Sequence, residues 1–515
     1  MERYTADFTD INENGAGITR LDGMVVFVPG VLPGERAEFE ITERKKNYAV
    51  GKCLSLIRRS EHRIASICPD EEACGGCALG WMEYEEENRI KANAVRAALR
   101  RAGLGGISVE ETVFAPQRYG YRNKMTLHYD PDAHRFGYCR PESNAVLPFH
   151  GCALCPHGFS DIVLFLHDDP DLASALSPQS LSIRSADDGI TVVFSCREWN
   201  ERASETIRCA LKKQFSEITH VLVSAPEHRE TTELTDRIAG LDMRYSAEAF
   251  RQVNTPAFER LLALVREEAE KANFKTAADL YCGSGVIGLE LAKEFPKAKF
   301  YGIEINPDAV EDAKKNAARN GIGNIRFFCG DAASFRQRFP VSPDLVTVDP
   351  PRAGLSASMR RELLALAPQN VIYVSCNPQT LARDLAELTQ NGYRIARVTP
   401  VNMFPATKHV ETVCLLSKLE SQPHIEVKLN MSELDLTKAE KKATYQEIKD
   451  YVMEHTGLRV SSLYIAQVKE KCGIIERENY NKAKSPDAKQ AKCPPEKEKA
   501  FRDALKHFGM IEGEK

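Results

Sequence analysis

The sequence predicts a multi-domain α/β protein, and three observations carry that expectation. Its 515 residues are too many for one core, so several domains are expected. Short strands broken by Gly and Pro fill residues 1–60, whereas helical and strand patterns alternate from residue 257 onward. Such alternation marks a doubly wound α/β sheet. Within it a glycine turn, Gly283-Ser-Gly285-Val-Ile-Gly288, follows a strand and opens a helix.

Residues 1–60 read as a small OB-like β-barrel. Its loops are basic, at Arg44-Lys-Lys46 and Arg58-Arg59. A basic barrel edge suits RNA, and a purely structural cap is the plainer alternative. Residues 61–245 form a central β-rich domain that opens on a cysteine-rich loop and a helix over 85–102. That helix sets Ile90, Ala94, Val95, Ala98 and Leu99 on one face, to pack on the catalytic domain. Residues 246–419 are the Rossmann-like domain. Residues 420–515 are a helical extension: Thr437-Lys-Ala-Glu440 is a capping box, and two short helices end near His455 and Lys471 like a helix-turn-helix. A Lys-rich stretch, 485–499, follows them.

Lys and Arg total 69 against 73 Asp and Glu, a net charge of −4. Bulk charge therefore announces no nucleic-acid binder, and any such surface is a local patch. No apolar run approaches the roughly 20 residues of a membrane helix, and no signal-peptide core follows Met1. A cytoplasmic protein is the expectation, and its 15 cysteines then point to metal or catalysis before disulfides.

The glycine turn lets a cofactor approach the backbone, and Glu304, at the end of the next strand, can accept from both ribose hydroxyls. This fits NAD and S-adenosylmethionine alike. Asp331 ends the following strand, beside the adenine. Asp349-Pro-Pro-Arg352 fixes a carboxylate at the sheet's carboxyl edge. Arg352 stands where amine methyltransferases carry a stacking aromatic, which disfavours amine chemistry. Cys376, in Ser375-Cys376-Asn-Pro378, ends the next strand as a nucleophile for pyrimidine carbon 6. A small buried thiol is its bland alternative. Glu411, in His409-Val-Glu411, suits the base, and Cys282 packs or lines the pocket.

Cys68-x5-Cys74-Gly-Gly-Cys77 has the spacing of a zinc or iron–sulfur site. Cys152 and Cys155 are the candidates for a fourth thiolate. Tyr119-Gly-Tyr121-Arg122-Asn-Lys124 reads equally as a solvated strand edge or a base-stacking surface.

With Phe250-Arg-Gln252-Val-Asn254 and Asp279-Leu-Tyr281, these runs resemble the RNA 5-methyluridine methyltransferases over residues 1 to about 419. The resemblance implies a TRAM barrel, a class I methyltransferase domain and S-adenosylmethionine held by Gln252, Tyr281, Gly283, Glu304, Asp331 and Asp349. It implies Cys376 as nucleophile and Glu411 as base. It also implies a [4Fe–4S] cluster on Cys68, Cys74, Cys77 and Cys152, preferred to Cys155. The barrel and that cluster together point to the 23S ribosomal RNA branch; a flexible or flipped-out target uridine and a monomeric enzyme are the further expectations. Transfer RNA methylation and a non-catalytic RNA-binding scaffold are the alternatives. Arg251 departs from the apolar residue the family pattern leads one to expect, and Ser284 and Val286 depart mildly.

Overall fold

In a computed structural model the described residues are 2–419 without 69, 141–142, 144, 248 and 339–341, and 445–510 without 459, 473–492 and 509. The chain divides into two units, Met1–Glu420 and Ser421–Lys515. The capping box at 437–440 and most of the Lys-rich stretch lie outside the described residues.

The amino-terminal strands form one six-stranded sheet that curls around Phe8, Val26, Val28, Val31, Ala37 and Phe39. Alternation in Arg36–Arg44 turns Ala37 and Phe39 inward and leaves charged neighbours outside. The central domain has a five-stranded sheet in the order Ile218–Ser224, Gly189–Cys196, Pro178–Ala186, Lys124–Asp130, Arg135–Gly137. Its core also takes in the helix His157–Asp168.

The third sheet positions the site. Its seven strands run Ile325–Cys329, Lys299–Glu304, Thr276–Leu280, Leu345–Val348, Asn370–Ser375, Glu411–Lys418, Tyr393–Val401. The first five pair in parallel. Glu411–Lys418 is inserted antiparallel to both of its neighbours. Leu345–Val348 and Asn370–Ser375 are buried at every residue, as strands covered by helices on both faces must be. Chain order reverses between Thr276–Leu280 and Leu345–Val348, and ligands bind at the carboxyl end of such a switch point.

Three helices around that edge start alike. Asn254, Asn306 and Asn377 cap Thr255–Glu270, Pro307–Arg319 and Pro378–Gln390, each side chain accepting from a first-turn amide, with proline at the first or second position. The asparagine satisfies an orphan donor, and the proline lacks one where none is needed.

Helix Tyr84–Arg101 packs against helix Pro378–Gln390 and strand Tyr393–Val401. The second unit is a bundle of Tyr445–Thr456, Ser462–Lys471 and Pro495–His507 closing on Ile448, Val452, Ile465, Val468, Phe501 and Leu505. The first two helices thus share a core with a third, which a helix-turn-helix pair alone would not supply. Among the described residues no helix is long and apolar enough to cross a membrane.

Gly302 marks the tightest approach in the third sheet: a Cβ there would sit 2.3 Å from Phe327 Cδ1. Gly302→Ala is expected to destabilise the domain by about 1–3 kcal/mol through overpacking. The measurement is the urea unfolding midpoint, and an unmoved midpoint would contradict the contact.

Candidate active site

The glycine turn leaves strand Thr276–Leu280 through Tyr281 (φ 68°), Gly283 (φ 53°) and Gly285 (φ 89°), and helix Val286–Glu294 follows at once. Left-handed backbone favours glycine, and Gly285 has a second reason, since a Cβ would meet Phe327 Cζ at 2.8 Å. Asp279 ties the turn down. Its carboxylate accepts from the Gly288 amide at 2.9 Å and from Thr347 Oγ1 at 2.7 Å. Burial pushes it up to about 6.

Glu304 accepts from the amides of Gly283, at 3.1 Å, and Asn306, at 2.9 Å. These contacts hold the carboxylate at the rim of a cavity of about 620 Å³, within the usual size of a cofactor site. Gln252, Tyr281, Gly283, Glu304 and Asp349 line it, as does Cys282. A Cβ on Gly283 would meet nothing within 4 Å, so the turn is an open cradle. The cavity and the carboxylate fit the nucleoside end of S-adenosylmethionine. Asp331 is placed apart from the lining, where it caps a short 3-10 turn by accepting from the Ala333 amide at 2.9 Å.

Sheet register brings Cys376 and Glu411 together. Ser375 pairs with Thr412 across antiparallel strands, so Cys376 follows and Glu411 precedes at the same edge. Glu411 is buried and Cys376 half-buried. Burial first, then the Glu411 and Asp349 carboxylates, push the Cys376 thiol up to about 11, with Arg352 opposing. Burial, then Asp349, raises Glu411 to about 8, again against Arg352. Burial, then Asp279, raises Asp349 to about 7. Low-dielectric surroundings disfavour each charged form, and neighbouring carboxylates add to the effect.

Two residues carry more than their sequence context suggested. His409 Nε2 lies 3.4 Å from Arg352 Nη2, and burial followed by the Arg352 charge lowers its pKa to about 4. It is therefore neutral at physiological pH. The run His409-Val-Glu411 was the available signal, although only the glutamate carried an expectation. Arg251, the departure at Gln252's neighbour, pairs with buried Asp236 and the Ser185 carbonyl. Tyr121 is buried, and its hydroxyl donates to the Pro405 carbonyl at 3.0 Å, so it packs against the loop before Glu411 and offers no face for a base to stack on.

The cysteine loop lies against the same region. Burial raises Cys68, Cys74 and Cys77, the last to about 12, and the charge of Cys152 is felt by all three. Cys155 donates to Cys152, which lowers Cys152 and raises Cys155. The donor set suits a thiolate centre in kind and number. Yet among the described residues no three His, Cys, Asp or Glu side chains are grouped to hold a metal ion. The expected [4Fe–4S] site is thus not shown by the geometry.

The chain resembles known RNA methyltransferases. A family described as tRNA (Uracil-5-)-methyltransferase matches residues 198–419, and the TRAM domain matches residues 2–54. An uncharacterized RNA methyltransferase of Oceanobacillus iheyensis is 30% identical over 81% of this chain and 96% of its own length. Another, from Gloeobacter violaceus, is 32% identical over 81% and 97%. The solved Pyrococcus abyssi tRNA (uracil-54, C5)-methyltransferase, bound to S-adenosyl-L-homocysteine, shares the fold. Its TM-score is 0.64 at 24% identity, covering 80% of this chain and 99% of that one.

The doubly wound sheet, together with these relatives, makes the chain an RNA methyltransferase. More narrowly, the chain belongs to the S-adenosylmethionine-dependent uracil-C5 RNA methyltransferases with a TRAM domain. The placement in the 23S ribosomal RNA branch is overturned, because the matching family and the solved relative of like fold are both described by transfer RNA. That placement rested on the barrel and the cysteine loop. Neither separates the branches: the fold is shared with a transfer RNA enzyme, and among the described residues the cysteines are not grouped as metal ligands.

Glu411 gives the site a pH signature. In the folded protein it holds its proton up to about 8, whereas an unfolded glutamate releases it near 4.5. Folded chains then bind more protons across that window, so stability falls as pH rises through it. Glu411→Gln is expected to flatten this decline, while Asp349 retains part of it. Urea unfolding at about pH 5 and about pH 8.5 measures the difference, and equal slopes in the two proteins would contradict the burial of Glu411.

Proposed function

We propose that this protein methylates carbon 5 of a uridine in transfer RNA, with S-adenosylmethionine as methyl donor. The observation that carries the reading is the meeting of Cys376 and Glu411 at one sheet edge beside the cofactor cavity. Transfer RNA is favoured as substrate by the description of the matching family and of the solved relative. The reactive groups are half-buried or buried, so the target uridine must leave its stack to reach them.

Gln252, Tyr281, Gly283 and Glu304 hold the cofactor, which when bound supplies an electrophilic methyl group. Cys376 adds as thiolate to carbon 6 of uracil, forming an S–C6 bond and pushing the ring electrons toward carbon 5 and its neighbouring carbonyl. Once carbon 5 carries its methyl group, Glu411 accepts the carbon 5 proton. The electron pair left behind re-forms the C5–C6 double bond and expels the Cys376 thiolate. Arg352 is the cation that opposes the upward shifts of both groups, so it favours the ionised forms the reaction needs. The thiol at about 11 implies that attack accelerates as pH rises through neutrality.

Cys68, Cys74, Cys77 and Cys152 are the residues we assign to a [4Fe–4S] cluster. Support comes from the influence of Cys152 on the other three thiols. The mechanism uses no electron from such a centre, so its role is to hold the loop that carries it. Anaerobically purified protein is expected to contain iron and acid-labile sulfide, both lost in Cys77→Ser; colourless protein without either contradicts the assignment.

Cys376→Ala is expected to abolish methyl transfer to a transfer RNA transcript while leaving S-adenosylmethionine binding intact. Full activity in that variant sinks the covalent mechanism. Wild-type activity on ribosomal fragments but not on transfer RNA sinks the substrate.

A further inference from the structure

The loop between Asn402 and Glu411 is held by a buried charge cluster on helix Tyr84–Arg101, far away in sequence. Glu87 and Lys91 are 0% and 1% exposed, one helical turn apart, with Nζ 2.9 Å from Oε1. Both reach the loop. Glu87 Oε1 accepts from Asn402 Nδ2 and from the Ala406 amide, each at 2.9 Å. Lys91 Nζ donates to Asn402 Oδ1 at 2.6 Å and to the Phe404 carbonyl at 2.9 Å. Arg118 Nη2 stands 3.3 Å from the other Glu87 oxygen. Asn402 is 0% exposed and completes the network through Asn88 Oδ1 at 3.0 Å.

Helix stability does not account for this arrangement. A buried ion pair seldom stabilises more than apolar side chains of the same volume, because both charges must be desolvated. Burial indeed lowers Lys91 below the usual lysine range. The loop also contains a strained residue where the cluster grips it. Ala406 is buried with φ 65°, a conformation that costs a non-glycine residue energy and persists only when its surroundings enforce it. Its amide is taken by Glu87 and its carbonyl by the Leu79 amide at 2.9 Å. Three residues further on lies His409, and five on lies Glu411.

We infer that Glu87 and Lys91 are positioning residues that set the Asn402–His409 loop and thereby aim Glu411 at the carbon 5 proton. The inference rests on the assignment of Glu411 as base. Neither residue touches substrate. Their removal lets the loop relax, and a displacement of about 1 Å in a reacting group can slow a step about 100-fold. The affected step comes after the S–C6 bond has formed, so the enzyme stays joined to its RNA.

The test uses the full chain, S-adenosylmethionine and a transfer RNA transcript with ordinary uridine. Adduct is read on denaturing gels, beside kcat and cofactor affinity. The double variant Glu87→Gln, Lys91→Met removes the charges as a pair and keeps the volume. It is expected to lose about 10- to 100-fold in kcat, to bind S-adenosylmethionine normally, and to accumulate covalent adduct as Glu411→Gln does. Adduct in Glu411→Gln with undiminished turnover and no adduct in the double variant overturns the clamp alone. Absence of adduct in Glu411→Gln overturns the base assignment and the clamp with it. Should the double variant give no folded protein, isosteric Asn402→Asp, which sets a second carboxylate against Glu87, is read by the same criteria.

Discussion

The register between strands Asn370–Ser375 and Glu411–Lys418 is the constraint on which the site depends. Antiparallel pairing of Ser375 with Thr412 puts the residue after one strand beside the residue before the other. Slip that pairing by one residue and every side chain in the inserted strand changes face. Six successive residues from Glu411 are buried, so a slipped register would drive Glu411 and its apolar neighbours into wrong layers together. The strand is pinned on its other side as well, by Tyr393–Val401. Packing thus enforces the geometry that the chemistry needs.

That geometry is electrostatically tense. Three carboxyl groups, Asp279, Asp349 and Glu411, share a buried edge, and each is raised. Only Asp279 has both oxygens satisfied by neighbours. Asp349 lines the cavity, and Glu411 lies buried within reach of its charge. Arg352 is exposed and the neutral His409 is beside it, so one guanidinium faces this edge without a competing imidazolium. Burial keeps Glu411 protonated at neutral pH, and the Arg352 charge opposes it.

Much of this was legible in the chain, for identifiable reasons. Glycines at 283 and 285 and the paired prolines after Asp349 are local signals, because backbone conformation depends on immediate neighbours. Tyr281, Glu304 and Asp349 line the cavity since each ends or follows a strand at the same sheet edge, and Gln252 reaches it from the segment before helix Thr255–Glu270. Asp331 obeys the same strand-end logic, yet it lies outside the lining because its carboxylate turns back to cap its own chain. The spacing of the cysteine loop reports which thiols can meet, not how closely they are grouped, and among the described residues no three metal-ligating side chains are grouped. Glu87 and Lys91 were invisible. A Glu–Lys pair one turn apart reads as a solvated helix face, and only the tertiary fold shows that it points inward.

The grip of helix Tyr84–Arg101 on the loop also has a consequence for how the molecule is made. Its partners lie 311 to 319 positions further along the chain. At roughly 5–20 residues per second, synthesis takes about 15–60 s to supply them. Throughout that interval Glu87 and Lys91 have no loop to bind, and both stay hydrated. Once Asn370–Ser375 has been made, it stays an open edge able to pair with another chain until Glu411–Lys418 follows. Long-range closure of this sort is slow. The edge that carries Cys376 and Glu411 is therefore the last part of the first unit that a nascent chain can complete.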